Sequence, residues 1–106
     1  MFVTRSDEGY RSALPGIEQK TLVHGDTTLM VEFRLRKGAQ LPLHFHPHEQ
    51  TGYLVKGHIR LTIGAKVHDV LPGGSWCIAG DVRHCAEIVE DSVAVEVFSP
   101  VRQDYL

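Results

Sequence analysis

Residues 27–38 read TTLMVEFRLRKG, and their alternation decides the fold. Leu29, Val31, Phe33 and Leu35 interleave with Thr28, Met30, Glu32, Arg34 and Arg36. Successive side chains of a strand point to opposite faces, so this period of two predicts a half-buried β-strand. Working outward, HIRLTIG (58–64) repeats the pattern, with Ile59, Leu61 and Ile63 against His58, Arg60 and Thr62. Gly64-Ala65 turns the chain into KVHDVL, and LPGGS at 71–75 breaks it again. SWCIAG, RHCAEIVED and VAVEVFS follow as short strands, divided by Gly80-Asp81 and Asp91-Ser92. Almost nothing reads as helix. Strands at this spacing, with Gly, Pro and Asp between them, predict an all-β sandwich or barrel. A chain of 106 residues is expected to form a single domain, 1–106, with a core of its own.

The composition, 42% hydrophobic and 23% charged, is that of an ordinary globular protein. A net charge of −2 carries no basic excess, which argues against nucleic acid or an anionic membrane as partner. The opening FVTRSDEGY contains no apolar h-region, and no run approaches the length of a membrane-spanning helix. A cytoplasmic location is therefore expected. Cys77 and Cys85 do not form a CxxC pair, and they read as reduced, buried apolar thiols.

Three histidines, a glutamate and a glutamine crowd into HFHPHEQ, residues 44–50. On a strand, His44 and His46 project from one face, about 6–7 Å apart along the chain. Gln50 shares their parity, whereas Glu49 has the opposite one. Pro47 marks a bend or bulge. A further imidazole, His84 in AGDVRHCAEI, lies far enough downstream to return on a facing antiparallel strand. Two imidazoles on one face, one from across the sheet and an amide oxygen make a cage for a divalent cation. His48 has matching parity and is placed at the pocket mouth, outside the ligand set. His24, His58 and His68 have no partner spacing and read as solvated.

The run GAQLPLHFHPHEQTGYLVKG, Gly38–Gly57, resembles the first signature of the cupin superfamily. That signature is a glycine, His-x-His, an acidic position and a closing glycine at this spacing. GGSWCIAGDVRH, Gly73–His84, resembles the second. It departs from it with Ala79 at a usual Pro, Asp81 at a usual Gly and Ile88 at a usual Asn. The resemblance implies a single-domain jelly-roll β-barrel, or double-stranded β-helix. Its metal ligands would be His44, His46, the acidic position and His84, with a homodimer as the expected assembly. Gln50 holds the acidic position here, as in many small cupins with an HPHEQ run. The implied metal is a divalent transition ion: Mn, Fe, Ni, Zn or Cu. Four neutral ligands would leave it its full charge, which favours a small anionic molecule as substrate.

The ending, Glu96 to Tyr105, is similar to that of the pectin-degradation cupins, which linearise 4,5-unsaturated uronates into open-chain keto acids. That likeness implies that Glu96, Phe98 and Arg102 complete the site, with Glu96 replacing a usual Asp. Glu96 would move the proton, Phe98 would contact the substrate, and Arg102 would grip its carboxylate through a planar fork. The parity of Ala94, Glu96 and Phe98 against Val93, Val95 and Val97 leaves open which face turns inward. The leading expectation is an isomerase of carbohydrate metabolism. The alternatives are a metal-dependent dioxygenase and a binding protein without catalysis.

Overall fold

The structure is a computed structural model and describes residues 1–106. Eight strands carry nearly all of the chain: β1 (Arg11–Leu14), β2 (Ile17–His24), β3 (Leu29–Leu35), β4 (Gln40–His44), β5 (Glu49–Ile63), β6 (Lys66–Val70), β7 (Ser75–Ile78) and β8 (His84–Ser99). One 3-10 turn, Gln103–Tyr105, follows. No helix is long and apolar enough to cross a membrane.

All pairings are antiparallel, in the order β1-β2-β3-β8-β5-β6, with β4 added to β8 and β7 to β5. β5 and β8 are long enough to serve two layers. Residues 92–98 of β8 pair with β3, while residues 84–87 pair with β4. Likewise β5 meets β7 through residues 50–53 and β6 through residues 59–63. The result is a jelly roll of two layers joined by two shared, bent strands, with an open edge.

The bend has a local cause. The β5–β8 register slips between Leu54 and Ile59, and Gly57 takes a φ of 100° inside that slip. A Cβ on Gly57 would lie 2.1 Å from Ser92 Oγ, so only glycine fits there. Ser92 Oγ accepts from the His58 amide at 3.0 Å and donates to the Glu90 carbonyl at 2.7 Å. The bulge also switches parity. Gln50 and Leu54 point inward before it, Ile59 and Leu61 after it. β8 is thus one strand bent at Ser92, where two strands were expected, because the serine hydroxyl replaces the ladder bonds that the bend displaces.

The predicted alternation of β3 holds: Leu29 and Val31 are fully buried while Met30 faces out. Leu29, Val31 and Phe98 form one core cluster, and Leu54, Ile59, Leu61, Val70, Ile88 and Ala94 the other. Cys77 corrects its expectation: it is exposed, because Trp76 and Ile78 take the inward positions of β7. Cys85 is half-buried, and both thiols are free.

Candidate metal centre

β4 delivers His44 directly opposite His84, the first residue of β8. His46 lies just beyond β4, in the turn before β5, rather than on the strand itself. The turn is held from below. A Cβ on Gly80 would come 2.4 Å from the Pro47 carbonyl, and the Asp81 amide donates to the His46 carbonyl at 2.7 Å. Asp81 has a φ of 67°, the conformation that explains the glycine usual there and one that Asp tolerates.

One ring nitrogen from each of His44, His46 and His84 lies within 4.8 Å of the others. Ligands about 2.1 Å from a common ion stand at most about 4.2 Å apart, so a small closure suffices. Each ring is already oriented. His44 Nδ1 donates to the Pro42 carbonyl at 2.9 Å, His46 Nδ1 to His48 at 3.0 Å and His84 Nδ1 to Val82 at 2.9 Å. A carbonyl only accepts, so Nδ1 bears the hydrogen and Nε2 the lone pair. The Nε2 atoms of His46 and His84 are buried without any hydrogen-bond partner, and so is Gln50 Oε1. Orphaned acceptors of this kind cost about 1–3 kcal/mol each, and their convergence fits a cation.

Burial holds the pKa of both His46 and His84 below the usual 6.5, with the Arg102 charge acting in the same direction. Both rings are thereby biased toward the neutral form that a ligand needs. Gln50, buried on β5 between Ile78 and Phe98, lies against His46. Its Nε2 donates to Glu96, leaving Oε1 as the free end. Glu49 is exposed and takes no part.

Glu96 points inward with Ala94 and Phe98. Burial pushes its pKa up to about 7, against the pull of Gln50, Trp76 and Arg102. Protein atoms surround the carboxyl, yet part of the residue meets the cavity. Arg102 lies over the Tyr105 ring at 4.0 Å and over Phe98 at 5.1 Å. Asp104 takes its Nε and Nη2 at 3.3 and 2.8 Å, which leaves Nη1 as the end of the fork not bonded to it.

These groups line one end of a cavity of about 350 Å³. A larger groove, about 910 Å³, runs between the N-terminal arm and the outer face of β2 and β3 and contains none of them. Trp76, Asp104 and Tyr105 escaped the sequence reading: no spacing rule ties them to the histidines, and only cross-strand neighbours bring them near. His48 stays outside the cluster. His58 corrects its expectation, since its Nε2 meets Asp69 Oδ1 at 2.9 Å across the β5–β6 pair.

Comparison with known proteins bears on the family and the fold. The cupin domain model matches residues 31–100. The pectin degradation protein KdgF of Dickeya dadantii (strain 3937) is 28% identical over 93 residues, covering 86% of this chain and 84% of that one. The structure of KdgF from Halomonas sp. superposes with a TM-score of 0.94 at 28% identity, over 100% of this chain and 98% of that one. An RmlC-like cupin from Shewanella frigidimarina NCIMB 400 gives 0.91 at 22% identity, covering 97% and 94%, a likeness of fold alone.

Proposed function

This chain belongs to the cupin family, and from that premise we propose that it is a metal-dependent isomerase that opens the ring of a 4,5-unsaturated uronate. The observation that carries the reading is the convergence of three Nε2 lone pairs and one amide oxygen beside a carboxyl poised near neutrality. His44, His46, His84 and Gln50 would hold a divalent transition ion, which supplies a Lewis acid for a sugar oxygen.

The chain's own groups do the rest. The Nη1 end of Arg102 anchors the substrate carboxylate, and Phe98 packs the floor beneath it. Glu96, with a pKa of about 7, accepts a proton and returns one. The reaction is balanced as an isomerisation: the anomeric hydroxyl loses a proton, the bond from C1 to the ring oxygen breaks, and C4 gains a proton. No electron acceptor is needed, which sets this reading apart from a dioxygenase. A homodimer belongs to the same proposal. Val93, Val95 and Val97 form an outward row beside Tyr53 and Val55, which are about half exposed, and a second copy would cover them.

Purified protein should contain a transition metal by elemental analysis and convert the unsaturated uronate to an open-chain keto acid, read by loss of enol absorbance. Metal-loaded protein that binds the uronate and returns it unchanged would leave a binding protein. Oxygen uptake with turnover would establish a dioxygenase instead. Light scattering at a monomer mass would remove the dimer.

A further inference from the structure

The only tryptophan of the chain stands on β7, apart from every motif that marks the site. Trp76 is the cross-strand partner of Gly52, and Gly52 is also the partner of Glu96 on its other side. All three belong to the inward face, between buried neighbours: Ile78 on β7, Gln50 and Leu54 on β5, Ala94 and Phe98 on β8. A Cβ on Gly52 would lie 2.1 Å from Trp76 Cε2 and 2.3 Å from its Nε1. The indole therefore lies across the bare backbone of the intervening strand. Strands are about 4.8 Å apart, so a side chain that crosses one neighbour reaches the next. The next is Glu96: the indole N–H acts on its carboxyl by pulling its pKa down, without the direct hydrogen bond that Gln50 Nε2 makes to it.

The two ends of a primary amide are nearly the same shape, so packing alone does not choose between them. In its ionised form Glu96 accepts and does not donate, so it selects the nitrogen end of Gln50 and sends the oxygen toward the histidines. We propose that Trp76 is a positioning residue: its N–H, passed over Gly52, steadies Glu96 so that Gln50 presents Oε1 to the ion. The proposal rests on the metal-site reading above. Removing the direct partner of a ligand costs about 10–100-fold in metal affinity, and Trp76 is one bond further out.

Co²⁺ alone is the probe, because its visible bands report the ligand set. With one tryptophan in the chain, biosynthetic replacement by 3-benzothienylalanine puts sulfur for N–H at Trp76 only and keeps the bicyclic shape. That protein should bind Co²⁺ about tenfold more weakly with altered bands, while the melting temperature before Co²⁺ is added stays unchanged. Trp76→Phe should move in the same direction. In a Glu96→Ala background, removing the N–H should cause no further loss, because the effect passes through the carboxyl. Wild-type affinity and bands in the benzothienyl protein, or an equal further loss in the Glu96→Ala background, would overturn the proposal. Wild-type protein that takes up no Co²⁺ would overturn the metal-site reading, and the proposal with it.

Discussion

Two regions of the β5–β8 pair invite comparison. Beyond the Gly57 bulge, Ile59, Leu61 and Ile88 close against Leu54 and Ala94, each no more than 4% exposed. Before it, Gln50 and Glu96 face the three histidines, and buried acceptors stand without partners. The same two strands make a packed floor and a polar mouth. The floor lowers the free energy of the fold by removing apolar area from water. The mouth raises it, by leaving polar groups desolvated and unpaired. Apolar packing and unpaired polar groups are thus segregated along one strand pair, with a bulge as the boundary.

The sharpest way to break the comparison is to delete one residue from each region. His84→Ala should weaken metal binding by more than about 100-fold, exceeding the usual loss from removing a ligand's hydrogen-bond partner. It should leave the melting temperature of chelator-treated protein unchanged or higher. Leu61→Ala should do the reverse, costing about 2–5 kcal/mol of stability with metal affinity retained. Calorimetry and thermal melts read both. Equal losses in both quantities for both variants would mean that the regions are one cooperative unit.

Within the mouth, proton carrier and anchor should separate. Glu96→Gln removes the titrating group and should lower kcat about 10²-fold with KM little changed. Arg102→Lys keeps the charge but loses the planar fork, so the smaller loss, about tenfold, should fall largely in KM. Full turnover in Glu96→Gln on every uronate tried would exclude that carboxyl as the proton carrier.

The smallest expected effect is on pH and stability in chelator-treated protein. His46 and His84 have folded pKa values below 6.5, so the unfolded chain takes up protons first as pH falls through that value, and stability drops. Glu96 acts in the opposite sense. Its folded pKa is about 7 against an ordinary 4.5, so the folded state takes up the extra proton between these values and gains stability as pH falls. Glu96→Gln should therefore steepen the acid loss of melting temperature between pH 7 and 4.5. Parallel curves for the two proteins would show that the carboxyl is not held near neutrality.

Much of this molecule follows from local rules. The alternation of β3 and of residues 58–63 depends only on side-chain periodicity, which neighbouring strands do not alter. The parity that pairs His44 with Gln50 and excludes Glu49 is likewise local. Other features had no local signal. The inward face of β8 was undecidable from its own residues, since Val93, Val95 and Val97 are as apolar as Ala94 and Phe98. Pairing with both β3 and β5 turned Glu96 inward. The division expected at Asp91-Ser92 failed because Ser92 bonds the backbone through its hydroxyl, and the strand bends without ending. Trp76 became part of the site because Gly52 stands between it and Glu96, a relation among three strands far apart in sequence. Side-chain type and spacing by themselves determined which atoms could bind a cation. The tertiary structure decided which lone pairs were stripped of partners, because desolvation depends on what the rest of the chain packs around them.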